Sequence, residues 1–128
     1  MRRCLASLTM VLAVAAAGPP LAADDLYYPA AQCAAFWLGR DDYARASTFL
    51  DADPTDAARA AAFRAVAVRL AGEAGPIDAF LRKERHAMAR LVEAYIYGGD
   101  DTSRDLHDRL LETCGAYAAT QAETRGLR

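Results

Sequence analysis

Gln32-Cys33-Ala34-Ala35-Phe36-Trp37-Leu38 is the stretch from which the fold of this chain can be read. It carries the only tryptophan of the protein and one of its three cysteines. Cys33, Phe36 and Trp37 repeat at i, i+3, i+4, the spacing that lines up side chains on one face of an α-helix. Pro29, just before it, suits a first helical position, where its missing N–H costs nothing. The stripe weakens at Arg40, which falls at i+7. Gly39 and the pair Asp41-Asp42 then allow the helix to be bent or split, with Asp41 capping a second piece that runs to Leu50 and places Tyr43, Ala46 and Leu50 together.

Three more helices follow. Asp53-Pro54-Thr55-Asp56 supplies a cap, a first-turn proline and a carboxylate at the positive end of the helix dipole. Phe63, Val66, Ala67 and Leu70 then hold one face, with Arg59, Arg64 and Arg69 off it. Pro76 opens the next helix, whose stripe is Ile77, Leu81, Met88, Leu91 and Tyr95, widened by Val92 and interrupted by Glu84. Gly98-Gly99 stops it. Thr102 with Asp105 resembles a capping box for the last helix, which is expected to face inward through Leu106, Leu110, Thr113, Cys114, Tyr117 and Gln121. Gly126 marks an expected frayed end. Gly39, Tyr43 and Ala46 also resemble the turn and second helix of a tetratricopeptide repeat. Nothing recurs about 34 residues later, so a repeat fold is rejected.

The N-terminus has a separate logic. Arg2 and Arg3 precede an uncharged run from Leu5 to Ala17; Gly18-Pro19-Pro20 breaks it, and Leu21-Ala22-Ala23 offers small residues ahead of Asp24. This is the order of a secretory signal peptide spanning 1–23. The run falls short of the roughly 20 residues of a spanning helix, so no stable membrane insertion is expected after cleavage. Residues 24–128 remain, enough for one helical domain around one core. With Arg2 and Arg3 removed from the 15 basic residues, 13 remain against 17 acidic ones. A mildly acidic chain does not hold phosphate backbones, which excludes nucleic acid as the favoured partner.

Cys33 and Cys114 are the cysteines left in that domain, and in an exported chain of this size they are expected to form one disulfide. Short loops make successive helices antiparallel. An up-down four-helix bundle then brings the start of the first helix beside the end of the last, where the two cysteines stand. The expected fold is therefore all-α: a small four-helix bundle stapled by Cys33–Cys114.

No reaction centre stands out. The two histidines, His86 and His107, have no His, Cys or carboxylate at i+3 or i+4, and a zinc site needs three or four converging ligands. Both are expected at the surface or at its boundary. No metal or cofactor is expected, and haem lacks its attachment motif. Ser47 and Ser103 have no nucleophile-elbow context; Ser103 lies four before His107, with no acid to orient the ring. Asp41-Asp42, Asp100-Asp101 and Asp51-x-Asp53 suit capping at turns. Glu84 is expected to reach water at the bundle edge.

What remains is surface. Arg82, Lys83, Arg85, His86 and Arg90 concentrate positive charge on the third helix of an acidic chain, and Tyr27, Tyr28, Tyr95 and Tyr97 stand near helix ends. Tyrosine is enriched in interfaces. The patch reads either as a solvated helix face with ion pairs to residues such as Glu93 and Asp78 or as a docking surface for an acidic partner. The expectation is a non-enzymatic exported binding protein, periplasmic or extracellular, that works through a helix face. The alternatives are an acid- or stress-protective envelope chaperone, or an immunity-type inhibitor of an envelope toxin or hydrolase.

Overall fold

A computed structural model describes residues 20–127. The expected signal peptide therefore lies outside the described residues but for its last four positions. Among the described residues there are four helices, α1 (Tyr28–Ala46), α2 (Pro54–Ala71), α3 (Gly75–Ile96) and α4 (Asp101–Ala118), followed by a short 3-10 turn, Arg125–Leu127. No strand occurs among the described residues. None of their helices is long and apolar enough to cross a membrane.

The helix ends follow their local chemistry, with one exception. The Asp53 side chain accepts from the Thr55 amide at 2.9 Å and caps α2. Gly72, at φ 80°, closes it in the left-handed conformation that glycine adopts without penalty. The cap of α4 is Asp100, which accepts from the Ser103 amide at 2.8 Å. Thr102 sits inside the helix instead of heading a capping box, because the helix starts at Asp101, one residue before it.

α1 is the hub. It packs most extensively on α3 and α2, α4 lies mainly against α3, and α2 touches α3 little. Ala30, Ala31, Ala34 and Ala35 are wholly buried around Phe36, so three neighbours can approach one helix closely. α1 runs unbroken through Gly39 to Ala46, which settles the choice between a continuous and a split helix. Gly39 is there for closeness instead of bending. A methyl group on it would collide with Met88 Cβ and come within 2.7 Å of the Ala89 backbone nitrogen. Asp41 and Asp42 are consequently helix-interior residues, not turn caps. Asp41 pairs with Arg45 at 2.7 Å, one turn on, and Asp42 reaches across to Arg85.

The disulfide forms as expected, Cys33 to Cys114, with Cα atoms 5.6 Å apart. It fastens α1 to the C-terminal half of α4. Both cysteines are buried among Ile77, Val66, Ala67 and Leu110.

α4 turns Leu110 and Cys114 inward as expected, but the rest of its face is shifted. Its buried residues are His107, Leu110, Cys114 and Ala118, whereas Leu106 is 41% exposed and Thr113 faces solvent. The helix is turned by about one residue, because Cys114 must meet Cys33 and His107 finds partners inside the bundle. The C-terminus is not frayed either. Thr124 is buried, its hydroxyl donates to Ala118 O at 2.8 Å, and Arg59 Nε donates to Leu127 O at 3.1 Å. Arg69 adds a two-pronged bond to Glu123, with Nε and Nη2 both at 3.0 Å from its carboxylate.

Candidate functional site

Polar groups gather in two places, one inside the bundle and one on its surface. Inside, Arg40 of α1 is the centre. Its Nε donates to Asp56 Oδ2 of α2 at 3.2 Å, and its Nη1 lies 3.0 Å from His107 Nε2 of α4. Asp56, only 2% exposed, also receives Arg59 at 3.4 Å. Both guanidinium groups lie over the Trp37 ring, Arg59 at 4.7 Å and Arg40 at 5.6 Å from its centroid. In such a position an arginine gains from the ring's negative face while its charge stays paired. Asp56 thus does more than complement the dipole of α2: it neutralises two arginines that the apolar face of α1 would otherwise have to accommodate.

His107 is buried, contrary to the surface or boundary position expected of it. Its ring packs edge-on to Phe36 at 5.3 Å and tilted against Tyr95 at 5.1 Å. Nδ1 lies 3.2 Å from Asp108 Oδ1. A guanidinium has donors only, so Nε2 must be the acceptor and Nδ1–H the donor to Asp108. Burial pushes the imidazole pKa below its ordinary value; the bond to Asp108 works against this and the Arg40 charge adds to it. With both ring nitrogens engaged, His107 has none left for Ser103. Asp108 is its neighbour in sequence, but Phe36, Arg40 and Tyr95 reach it from other helices, so no spacing within α4 could have announced its burial.

The surface site lies on α3. Arg82, Lys83, His86 and Arg90 are exposed there and make no hydrogen bond or ion pair among the described residues. Arg85 is different: Nε and Nη2 hold the two oxygens of Asp42 at 2.7 and 2.6 Å, a fork-to-fork pair that fixes α3 on α1. Asp78, in the first turn of the same helix, is held by Arg64 at 2.7 and 2.9 Å, which lowers the pKa of its carboxyl. Four of the five patch residues therefore stay available, and Arg85 is structural.

These four do not all face one feature. His86 and Arg90 line a cleft of about 750 Å³ between α3 and the segment leaving α1, together with Tyr43, Phe49, Glu93 and Tyr97. Arg82 and His86 border a smaller hollow that continues it toward Asp42 and Arg85. Lys83 stands over a separate depression beside Phe80 and part-exposed Glu84, so Glu84 does reach the bundle edge. At the far end of the cleft Phe49 and Tyr97 meet at a tilt, ring centroids 5.0 Å apart, yet remain 61% and 67% exposed. Phe49 was not singled out in the sequence. The available signal was a phenylalanine in a short interhelical loop, Ser47 to Asp53, where nothing calls for an apolar side chain. Beneath it, the Tyr43 hydroxyl is buried and has no hydrogen-bond partner.

Among the described residues no three His, Cys, Asp or Glu side chains converge as they would to hold a metal ion. Neither a known protein family, nor a characterised protein, nor a solved structure matches this chain. Function must be argued from these two sites alone.

Proposed function

We propose that this chain is an exported, non-enzymatic binding protein that docks an acidic protein partner on the exposed face of α3. One observation carries the reading: Arg82, His86 and Arg90 stand one helical turn apart in a single row, free of intramolecular ion pairs among the described residues, and the row opens onto an exposed aromatic pair. Elsewhere most arginines of the described residues have found a carboxylate: Arg40 and Arg59 share Asp56, Arg64 holds Asp78, Arg69 holds Glu123 and Arg85 holds Asp42. In a protein of net charge −2, a cationic row left over from that pairing steers an acidic surface toward itself. The test is capture from envelope extract at low and high salt, with the wild type beside the double variant Arg82→Glu, Arg90→Glu. A salt-sensitive companion that the variant loses while keeping its helical signal supports the reading. A companion held equally by both proteins removes it.

A second reading, an envelope chaperone that opens in acid, is favoured by one observation: neutral His107 is buried against the Arg40 cation. It predicts binding of an apolar dye and suppression of client aggregation as pH falls toward 4. A chain that stays monomeric and dye-silent there is not such a chaperone.

A further inference from the structure

The cleft beside Arg90 has a polarity that the basic row by itself does not. Along α3 its floor runs from His86 and Arg90, through Glu93, to Tyr97, with Phe49 closing the far end. One end is cationic, the other is aromatic, and Glu93 between them repels a carboxylate that strays past Arg90. On the reading that α3 docks an acidic partner, we propose that this cleft takes one aromatic side chain of that partner against Phe49, Tyr97 and Tyr43, while the partner's carboxylates lie over Arg90, His86 and Arg82.

Three observations converge on this occupant. Phe49 and Tyr97 leave most of their ring surface in water although they touch each other, and an aromatic ring gains 150–250 Å² of burial and an offset or edge contact, roughly, by joining such a pair. The cleft is open along one side, which suits a side chain projecting from a larger molecule better than a small ligand, because small-ligand sites enclose most of their ligand. Tyr43 lines the same cleft, so its ring adds a third aromatic side chain to the seat.

The spacing along α3 fixes the partner's pattern. Arg90 and Tyr97 are seven residues apart in the helix, about 10 Å at 1.5 Å per residue. An extended peptide covers that distance in about three residues. The partner segment therefore carries its ring about three residues from the nearest carboxylate, with further carboxylates beyond it.

Two acetylated, amidated hexapeptides test this, Glu-Asp-Glu-Gly-Ser-Phe and the reverse order Phe-Ser-Gly-Glu-Asp-Glu, titrated at low salt against the full exported protein by fluorescence anisotropy. One of them should bind. Replacing its Phe by Ser, Phe49→Ala and Arg90→Glu should each weaken binding about tenfold or more. Arg109→Glu, the same charge reversal on the exposed face of α4, should leave it unchanged. Binding that needs Arg90 but ignores both Phe49 and the peptide's Phe overturns the aromatic seat and leaves acidic docking standing. Failure of both peptides overturns it as well. Acidic docking itself falls only when the envelope companion proves indifferent to Arg82→Glu, Arg90→Glu, so the two failures are separable. Phe49 and Arg90 are exposed, and circular dichroism of each variant checks that it remains folded.

Discussion

Nη1 of Arg40 lies 3.0 Å from Nε2 of His107, which joins α1 to α4 inside the bundle across 67 residues of sequence. This contact exists only while the ring is neutral, since a protonated Nε2 would set one donor, and one cation, against another.

Stability should consequently fall in mild acid. Above about pH 6.5, the ordinary imidazole value, His107 is neutral in the folded and the unfolded chain alike, and its contribution is complete. Below that, the unfolded chain takes up a proton that the folded one resists, because burial lowers the pKa of the folded ring. The unfolded state then binds more protons, so stability drops as pH falls, until the folded ring protonates too. Asp53, Asp78 and Asp100, whose pKa values are lowered by their hydrogen bonds, act in the same direction but only below about pH 4–5. Urea midpoints should therefore decline between pH 7 and pH 5, and His107→Gln should flatten that decline. A wild-type midpoint that is constant or rising across this interval contradicts the assignment.

Gly39→Ala should destabilise, against the ordinary rule for helices. Helix propensity alone favours alanine by about 1 kcal/mol. Here the added methyl meets Met88 Cβ and the α3 backbone at Ala89, which cannot swing aside as a flexible side chain would. Overpacking of this kind costs about 1–3 kcal/mol, so the net change should be a loss. Thermal or urea unfolding checks it, and a stabilised variant would mean that α1 and α3 are further apart than described.

Removing the staple should be expensive. The bridge spans 81 residues, for which the chain-entropy model gives about 4.5 kcal/mol. That is close to the entire stability of a small domain. The Cys33→Ala, Cys114→Ala variant should show a urea midpoint reduced to near zero, or no cooperative transition. Intact mass of the exported protein should be two hydrogens light until reduced. Free thiols at both positions would sink the prediction.

Tyr43→Phe should cost nothing in stability. Its hydroxyl is buried without a partner, so deleting it removes a desolvated group and no hydrogen bond. A neutral or slightly raised midpoint is expected. A loss above about 1 kcal/mol would show that the hydroxyl is satisfied within the folded protein.

Much of the fold was legible because helices announce themselves locally. Asp53-Pro54 starts α2 and Gly72 and Gly99 sit where the chain takes a positive φ, because caps and turns depend on residues within a few positions of each other. The disulfide was legible from topology. The surface patch was legible in part: Arg82, Lys83, His86 and Arg90 remain exposed, while Arg85 is committed to Asp42, a partner 43 residues away that no helical spacing reveals.

Where the chain's own periodicity was weak, packing decided. Leu106 and His107 are neighbours on α4, and hydropathy favours burying the leucine. The fold buries the histidine, because Arg40, Phe36 and Tyr95 converge on it while Cys114 holds the rotation of the helix. Gly39 looked like a place to bend and is a place of contact. Phe49, in a loop between helices, gained meaning only when Tyr97 arrived beside it from the far end of α3.

The sequence by itself determined the four helices, the capped start of α2 and the pairing of Cys33 with Cys114, since these rest on short-range chemistry and on the antiparallel order that short loops impose. Only the tertiary structure decided which face of α4 turns inward, which arginines are neutralised, and that a cationic row and an aromatic pair share one cleft. Those depend on distances between residues far apart in the chain, and such distances are set by how closely Gly39 and the alanines of α1 let the other helices approach.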